Sequence, residues 1–213
     1  MAGEVPRNQD CTFVAPLAQP TRGAGGVSSL IFSTHIAASP EKCLEIVLDS
    51  SAYPTWNKLV RQATVEKQSP ATATDLGDSL GFLLASGKQD MLLPGADFVF
   101  NAYLDPDSDS FRSTRLEVTV LKEIVHEGRK GFRVSWAMTE GTWLQHVERT
   151  QDFVEAPGGG TDYYNMETFY GPVSYLIKPI VGTKLLKALG LWKDGLKAEA
   201  ERQCKEETTK VSK

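Results

Sequence analysis

Five residues in the second half of the 213-residue chain have the types needed for chemistry at a carbonyl group: His126, Arg149, Tyr164, Glu167 and Tyr170. A guanidinium and phenol hydroxyls can hold an oxygen whose negative charge grows as an enolate forms. A carboxylate or an imidazole can take the proton from the neighbouring carbon. Brought together in an apolar pocket, they would make an enolate site that needs no cofactor. Whether they meet depends on one hairpin and its register.

Residues 144–154 and 162–170 read as strands around Gly158-Gly159-Gly160. A two-residue turn at Gly158-Gly159 pairs residues whose numbers sum to 317, so Val147 faces Tyr170, Arg149 faces Thr168, Gln151 faces Met166 and Phe153 faces Tyr164. That gathers a mostly apolar face holding Arg149 and Gln151. It leaves His146, Glu148, Thr150, Asp152, Asn165 and Glu167 on a solvated face. A three-residue loop, with pairs summing to 318, turns every side chain over and puts Arg149 beside Glu167. The first register separates apolar from polar residues better. Under it Arg149 needs a partner, because an unpaired buried charge is costly. That partner is either a ligand oxygen or Thr168, Gln151 and backbone carbonyls of the wall. Glu167, the general-base candidate, then points outward, where it serves as a surface cross-strand partner. His35 and His146 fall on polar sides, whereas His126 continues the parity of Leu116, Val118 and Val120 and could reach the interior.

The elements that position these residues follow from spacing. Val181, Leu185, Leu189, Trp192, Leu196 and Ala200 form one apolar stripe on a helix running from Pro172 to about Glu207. Leu30, Phe32, Thr34 and Ile36 alternate as a first strand. Ser39-Pro40-Glu41 then opens a helix, with Ser39 as N-cap, Pro40 at the first helical position and Glu41 at the positive dipole end. Leu44, Val47 and Leu48 face inward, and a second short helical piece holds Tyr53, Pro54, Trp56 and Asn57. Strands are expected over 59–67, 77–85, 97–104, 114–126, 130–138, 144–154 and 162–170, separated by Pro, Gly and Asp turns. Phe132, Val134, Trp136 and Met138 alternate with polar residues, as in an antiparallel sheet covered on one side. The stretch 91–97 with Pro94-Gly95 reads as an access loop or a simple connection. The class is α+β. Residues 1–26, rich in Pro and Gly, read as a flexible arm, 27–207 as one domain and 208–213 as a frayed tail.

Composition excludes several functions. A formal net charge of −4 is wrong for a nucleic-acid surface. Cys11, Cys43 and Cys204 are too scattered for a disulfide framework or a zinc site, and three separate histidines carry no metal-ligand spacing, so no metal is expected. No apolar run spans a membrane and no signal-peptide order opens the chain, so a reducing, cytoplasmic setting is expected. Lys184, Lys187, Lys193 and Lys197 could contact anionic lipid, but Asp194, Glu199 and Glu201 interleave them, as on a solvated outer face. Nucleophile-elbow, phosphate-loop and dinucleotide motifs are missing.

The stretches Ile36-Ala37-Ala38-Ser39-Pro40-Glu41, Tyr53-Pro54-Thr55-Trp56-Asn57, Glu148-Arg149, Glu167-Thr168-Phe169-Tyr170-Gly171-Pro172 and Leu196-Lys197-Ala198-Glu199-Ala200-Glu201 resemble the SRPBCC superfamily, which joins polyketide cyclase/dehydrase-like, START-like and Bet v 1-like proteins. The resemblance covers residues 28 to 207. It implies a helix-grip fold, a curved antiparallel sheet of about seven strands gripping the last helix around a deep apolar cavity. It also implies a small hydrophobic ligand and no cofactor. Trp56, Asn57, Phe132, Trp136, Val147, Gln151, Met166 and Thr168 are then candidates to line the cavity. An exposed edge strand could support a homodimer. Three readings follow: a polyketide cyclase/dehydratase-like enzyme driving enolate-based cyclisation or dehydration, a non-catalytic carrier or sensor of a lipid, quinone or sterol, and a scaffold whose cavity its own rings fill. Fold alone does not choose among them.

Overall fold

The structure, a computed structural model, describes residues 5–88 and 90–211; residues 1–4 of the expected arm and 212–213 of the expected tail lie outside the described residues. Eight strands form one antiparallel sheet in the order β1-β2-β8-β7-β6-β5-β4-β3. They are β1 (Thr12–Val14), β2 (Ser28–Ile36), β3 (Val60–Lys67), β4 (Asp97–Ala102), β5 (Arg112–His126), β6 (Arg129–Met138), β7 (His146–Glu155) and β8 (Thr161–Tyr170). Two short helices, α1 (Pro40–Leu48) and α2 (Tyr53–Trp56), follow β2. The Ser39 hydroxyl caps α1 by accepting from the Lys42 amide at 3.3 Å, with Pro40 at its start and Glu41 in its first turn.

Within 77–85, where the sequence suggests a strand, the chain is helical. After the short helix α3 (Ala73–Leu76) it makes a 3₁₀ turn over Asp78–Leu80 and then α4 (Gly81–Ala85). The physical reason is visible in the burial of Leu76, Leu80 and Leu83, which recur at helical steps while period-two alternation is absent. A 3₁₀ turn over Pro172–Leu176 leads into the last helix, α5 (Ile177–Val211), which continues through residues 208–211. Its stripe divides in two. Leu189, Trp192, Leu196 and Ala200 are at most 1% exposed, whereas Val181 and Leu185 are only half-buried because they stand over a hollow. Sheet, gripped helix and hollow together are the helix-grip arrangement.

The segment expected as a flexible arm lies against the outer face of the sheet. β1 pairs with β2, Val5 and Gln19 are each 4% exposed, and Gln19 bonds to Thr168 at 2.8 Å and Thr150 at 2.6 Å. The buried Glu148 carboxylate accepts from the amides of Thr21 and Arg22 at 2.9 and 2.8 Å. Bonds from amides to a buried charged acceptor contribute about 1.5–3 kcal/mol each. Glu148→Ala is therefore expected to raise amide exchange at Thr21 and Arg22 at least about tenfold, as hydrogen–deuterium exchange would read. Unchanged protection would mean that the arm is held by its strand alone.

A second covered face changes the hairpin. Partners in β7 and β8 sum to 316, as in Arg149 opposite Glu167 and His146 opposite Tyr170. The connection is wider than either turn considered: Glu155 pairs with Thr161, and Gly158, Gly159 and Gly160 all take positive φ. The 317 register is thus overturned, and the parity is that of the alternative. Tyr164 and Met166 make their face apolar because the arm covers it, so sorting residues into a dry and a wet face pointed the wrong way.

Candidate functional site

Between the sheet's inner face and the first half of α5 lies a cavity of about 170 Å³. A cavity of about 150 Å³ lined by apolar residues takes up benzene, so this one suits a ring-sized group. Phe100 of β4, Leu116 of β5, Trp136 and Met138 of β6, Val147 of β7 and Phe169 of β8 make an apolar wall. Ile177, Val181, Leu185 and Leu189 of α5 close it. Arg112 and Gln145, joined at 3.2 Å, also line it and are the more exposed pair, marking the mouth.

Two charged side chains stand on this wall away from the mouth, Arg149 and Glu167, directly opposite each other in the β7–β8 ladder. Alternation along the strands sends both to one face, as it sends Val147 and Phe169. Arg149 is 5% exposed, its Nε donates to Asn165 Oδ1 at 2.5 Å, and its guanidinium lies 4.2 Å from the Trp192 ring centroid. Its Nη2 is buried and has no protein partner. Glu167 is half-buried and, among the described residues, forms no hydrogen bond and no ion pair within 4.0 Å. Burial pushes its carboxyl above the usual range, and the Arg149 charge only partly opposes this.

One step deeper on the same face, Gln151 stands opposite Asn165. The Tyr163 hydroxyl donates to Gln151 Oε1 at 2.5 Å and accepts from Trp192 Nε1 at 3.0 Å. Burial drives the Tyr163 phenol up to about 12, against the pull of Arg149. Gln151 Nε2 and Asn165 Nδ2 are buried without protein partners. The unfilled positions on Arg149, Gln151 and Asn165 are therefore all donors, and the Glu167 carboxylate beside them is an acceptor. Such an end can hold a ligand oxygen on Arg149 while Glu167 exchanges a proton with a nearby carbon. Among the described residues, no three His, Cys, Asp or Glu side chains converge as a metal site would need.

The expected site residues divide between the two faces. Arg149, Glu167, Trp136 and Val147 meet at the cavity, and Gln151 lies behind them. Tyr164, Met166, Thr168 and Tyr170 are on the opposite face under the arm. There Tyr170 donates to the Gly23 carbonyl at 2.9 Å and Thr168 to the Leu17 carbonyl at 3.0 Å. His126 also lies outside. A bulge between Val118 and Val120 breaks the parity of β5, so its imidazole stands 6.3 Å from the Tyr164 ring. Trp56 packs on Trp192 with centroids 5.4 Å apart, and Asn57 caps β3 by accepting from the Leu59 and Val60 amides. Phe132 packs on Phe82 outside the cavity. Sequence reasoning missed the lining residues Phe169 and Arg112. The signal for Arg112 was the row Arg112, Thr114, Leu116, which one side of a strand carries inward.

The sequence matches no protein-family model and no curated protein. Solved structures match in fold. A hypothetical protein from Helicobacter pylori superposes with a TM-score of 0.56 at 14% identity, over 81% of this chain and 86% of that one. The Zhui aromatase/cyclase from a Streptomyces strain gives 0.54 at 8% identity, over 83% and 94%. A START superfamily protein from Mycobacterium smegmatis gives 0.53 at 14% identity, over 82% and 98%. At these identities the likeness is one of fold alone. Among the described residues, no helix is long and apolar enough to cross a membrane.

Proposed function

We propose that this chain, whose helix-grip fold is that of START-like and aromatase/cyclase structures, is a cofactor-independent enzyme that forms an enolate on a small hydrophobic carbonyl compound, in the manner of polyketide cyclases and dehydratases. The observation that carries the reading is that Arg149 and Glu167 face the same apolar cavity from opposed positions, with a free donor on one and a destabilised carboxylate on the other. The substrate's ring or folded chain occupies the apolar space, which lowers the entropy cost of bringing its reacting carbons together. Its carbonyl oxygen takes the free Nη2 of Arg149. Glu167 removes the proton next to that carbonyl, and the guanidinium stabilises the enolate. Return of the proton to a leaving hydroxyl gives dehydration; attack of the enolate carbon on a second carbonyl of the same chain closes a ring, and the alkoxide so formed takes the proton back from Glu167. Tyr164, Tyr170 and His126 have no part in this reading, since they lie behind the sheet.

A carrier of a hydrophobic molecule is the second reading, favoured by the apolar makeup of the wall between mouth and charged end. The two separate in one experiment. A cyclic ketone of one-ring size, whose α-protons exchange slowly in buffer, is added in heavy water, and loss of the proton next to its carbonyl is followed by NMR. The enzyme reading expects exchange well above the buffer rate together with saturable binding. Binding without faster exchange favours the carrier, and no binding of any ring-sized probe rejects both.

A further inference from the structure

The outer side of the same helix segment carries a different chemistry. Large apolar side chains are exposed where the β6–β7 loop meets the start of α5: Trp143 at 81%, Tyr175 at 69%, Leu176 at 53% and Ile180 at 70%. The backbone joins the two parts, since the Val173 amide donates to the Leu144 carbonyl at 3.0 Å. Gly171, at φ 85°, lies so close to this loop that a Cβ would meet the Leu144 and Trp143 carbonyl oxygens at 2.5 and 2.7 Å. Leu176 and Ile180 continue at helical spacing into Lys184 and Lys187, a row about 100° round the helix from the Val181, Leu185 and Leu189 row that lines the cavity. Between Pro172 and Lys193 the chain has four lysines and no Asp or Glu; the acids that could solvate a helix face begin only at Asp194. Lys178 reaches back over the Phe13 ring and Lys193 toward Asp10 at 3.3 Å. Lys184 and Lys187 are exposed and, among the described residues, form no ion pair.

We infer that this patch docks on an anionic membrane surface, with Trp143, Tyr175, Leu176 and Ile180 entering the headgroup–acyl boundary and Lys184 and Lys187 meeting lipid phosphates. Exposed rings and branched chains next to a carboxylate-free run of lysines are the combination that an interfacial helix needs. A second copy is a poorer occupant, because two such patches would set Lys184 and Lys187 against their own equivalents. Asp105, Asp107 and Asp109 lie on the β4–β5 loop, whose end is tied to the β6–β7 loop by the Arg112–Gln145 bond, and they limit the footprint on that side, since an anionic surface repels them. The inference stands without the chemistry assigned to the cavity. It adds that only the first turns of α5 separate the cavity from the docked surface, which gives an apolar ligand a short path between them.

The test uses the full chain with vesicles of phosphatidylcholine, with and without phosphatidylserine. Trp143 is a built-in reporter, because Trp56, Trp136 and Trp192 are 7%, 2% and 0% exposed. Anionic vesicles are expected to shift the fluorescence to the blue and to carry the protein down on sedimentation, with high salt reversing both. Lys184→Glu with Lys187→Glu should weaken partitioning by at least about tenfold, and Ile180→Ser should weaken it at unchanged salt dependence. These side chains are exposed, so unchanged thermal melts confirm that the variants fold. Absence of binding to either vesicle overturns the inference, as does equal binding by the charge-reversed variant. A dimer that Ile180→Ser abolishes, in protein that ignores vesicles, overturns it in favour of a self-interface.

Discussion

Trp192→Ala is expected to lower the melting temperature by about 6–16 °C, the result of losing about 3–4 kcal/mol in a domain of this size. Trp192 is fully buried and packs its indole against Tyr53, Trp56 and Trp136, with centroids 5.6, 5.4 and 6.4 Å away. It holds α2, β6 and α5 to one another at the closed end of the hollow. Its removal opens a void, takes a donor from the buried Tyr163 hydroxyl and strips the Arg149 guanidinium of the ring face it lies over. The last two losses distinguish this site from an ordinary core position. Trp192→Phe keeps most of the volume and a ring for the guanidinium but lacks the N–H, so it should recover more than half of the loss. Thermal melts of the two variants decide the matter. Equal destabilisation by Phe and Ala would place the energy in the Trp192–Tyr163 hydrogen bond rather than in packing.

The helical stripe, the α1 cap and seven of the eight strands were legible because each is encoded in local spacing. The hairpin register was not, and with it went half of the site. Alternation in β7 and β8 shows that side chains divide into two sets, but it names the inner set only when the other faces water. Here residues 5–26 cover the outer set, so Tyr164 and Met166 are buried beneath the arm and Arg149 and Glu167 beneath α5. Composition marked that arm as flexible because its ordering energy lies in long-range bonds, such as those from Glu148 and Gln19, which no local window contains. His126 was misplaced for a related reason. One extra residue between Val118 and Val120 reverses the faces of everything after it in β5, and no turn residue in the sequence marks that bulge. Arg149 kept its importance because both registers of the hairpin left a charge among apolar neighbours; its cross-strand neighbour changed from Thr168 to Glu167, and its bonded partner is Asn165.

That change of neighbour makes Glu167→Gln the most informative single substitution. If Glu167 removes the proton, the variant should lose about 100-fold or more of the proton exchange seen with a one-ring ketone, the usual scale of a general base. Binding of the probe should stay within a few-fold, since the substituted amide would keep the shape of the carboxyl and Arg149 keeps its donor. Arg149→Met should do the reverse of sparing affinity. It removes the donor that meets the ligand oxygen, so binding of an anionic ring such as benzoate should weaken by at least about tenfold, the loss of one charge-assisted bond. Stability gives an independent check through the raised carboxyl of Glu167. The folded state favours the protonated form more than the unfolded chain does. The contribution of Glu167 to stability is therefore fully present below the ordinary value of 4.5 and is lost as pH rises through the higher folded value. Gln cannot ionise, so Glu167→Gln should gain on the wild type as pH rises above the ordinary carboxyl value of 4.5, and its advantage should level off once the carboxyl is ionised in both states. The wild-type exchange rate should climb over that same interval, because the base is active only when ionised. A melting difference that stays flat with pH, together with exchange that survives in Glu167→Gln, would remove Glu167 from the reaction and leave the cavity to a carrier.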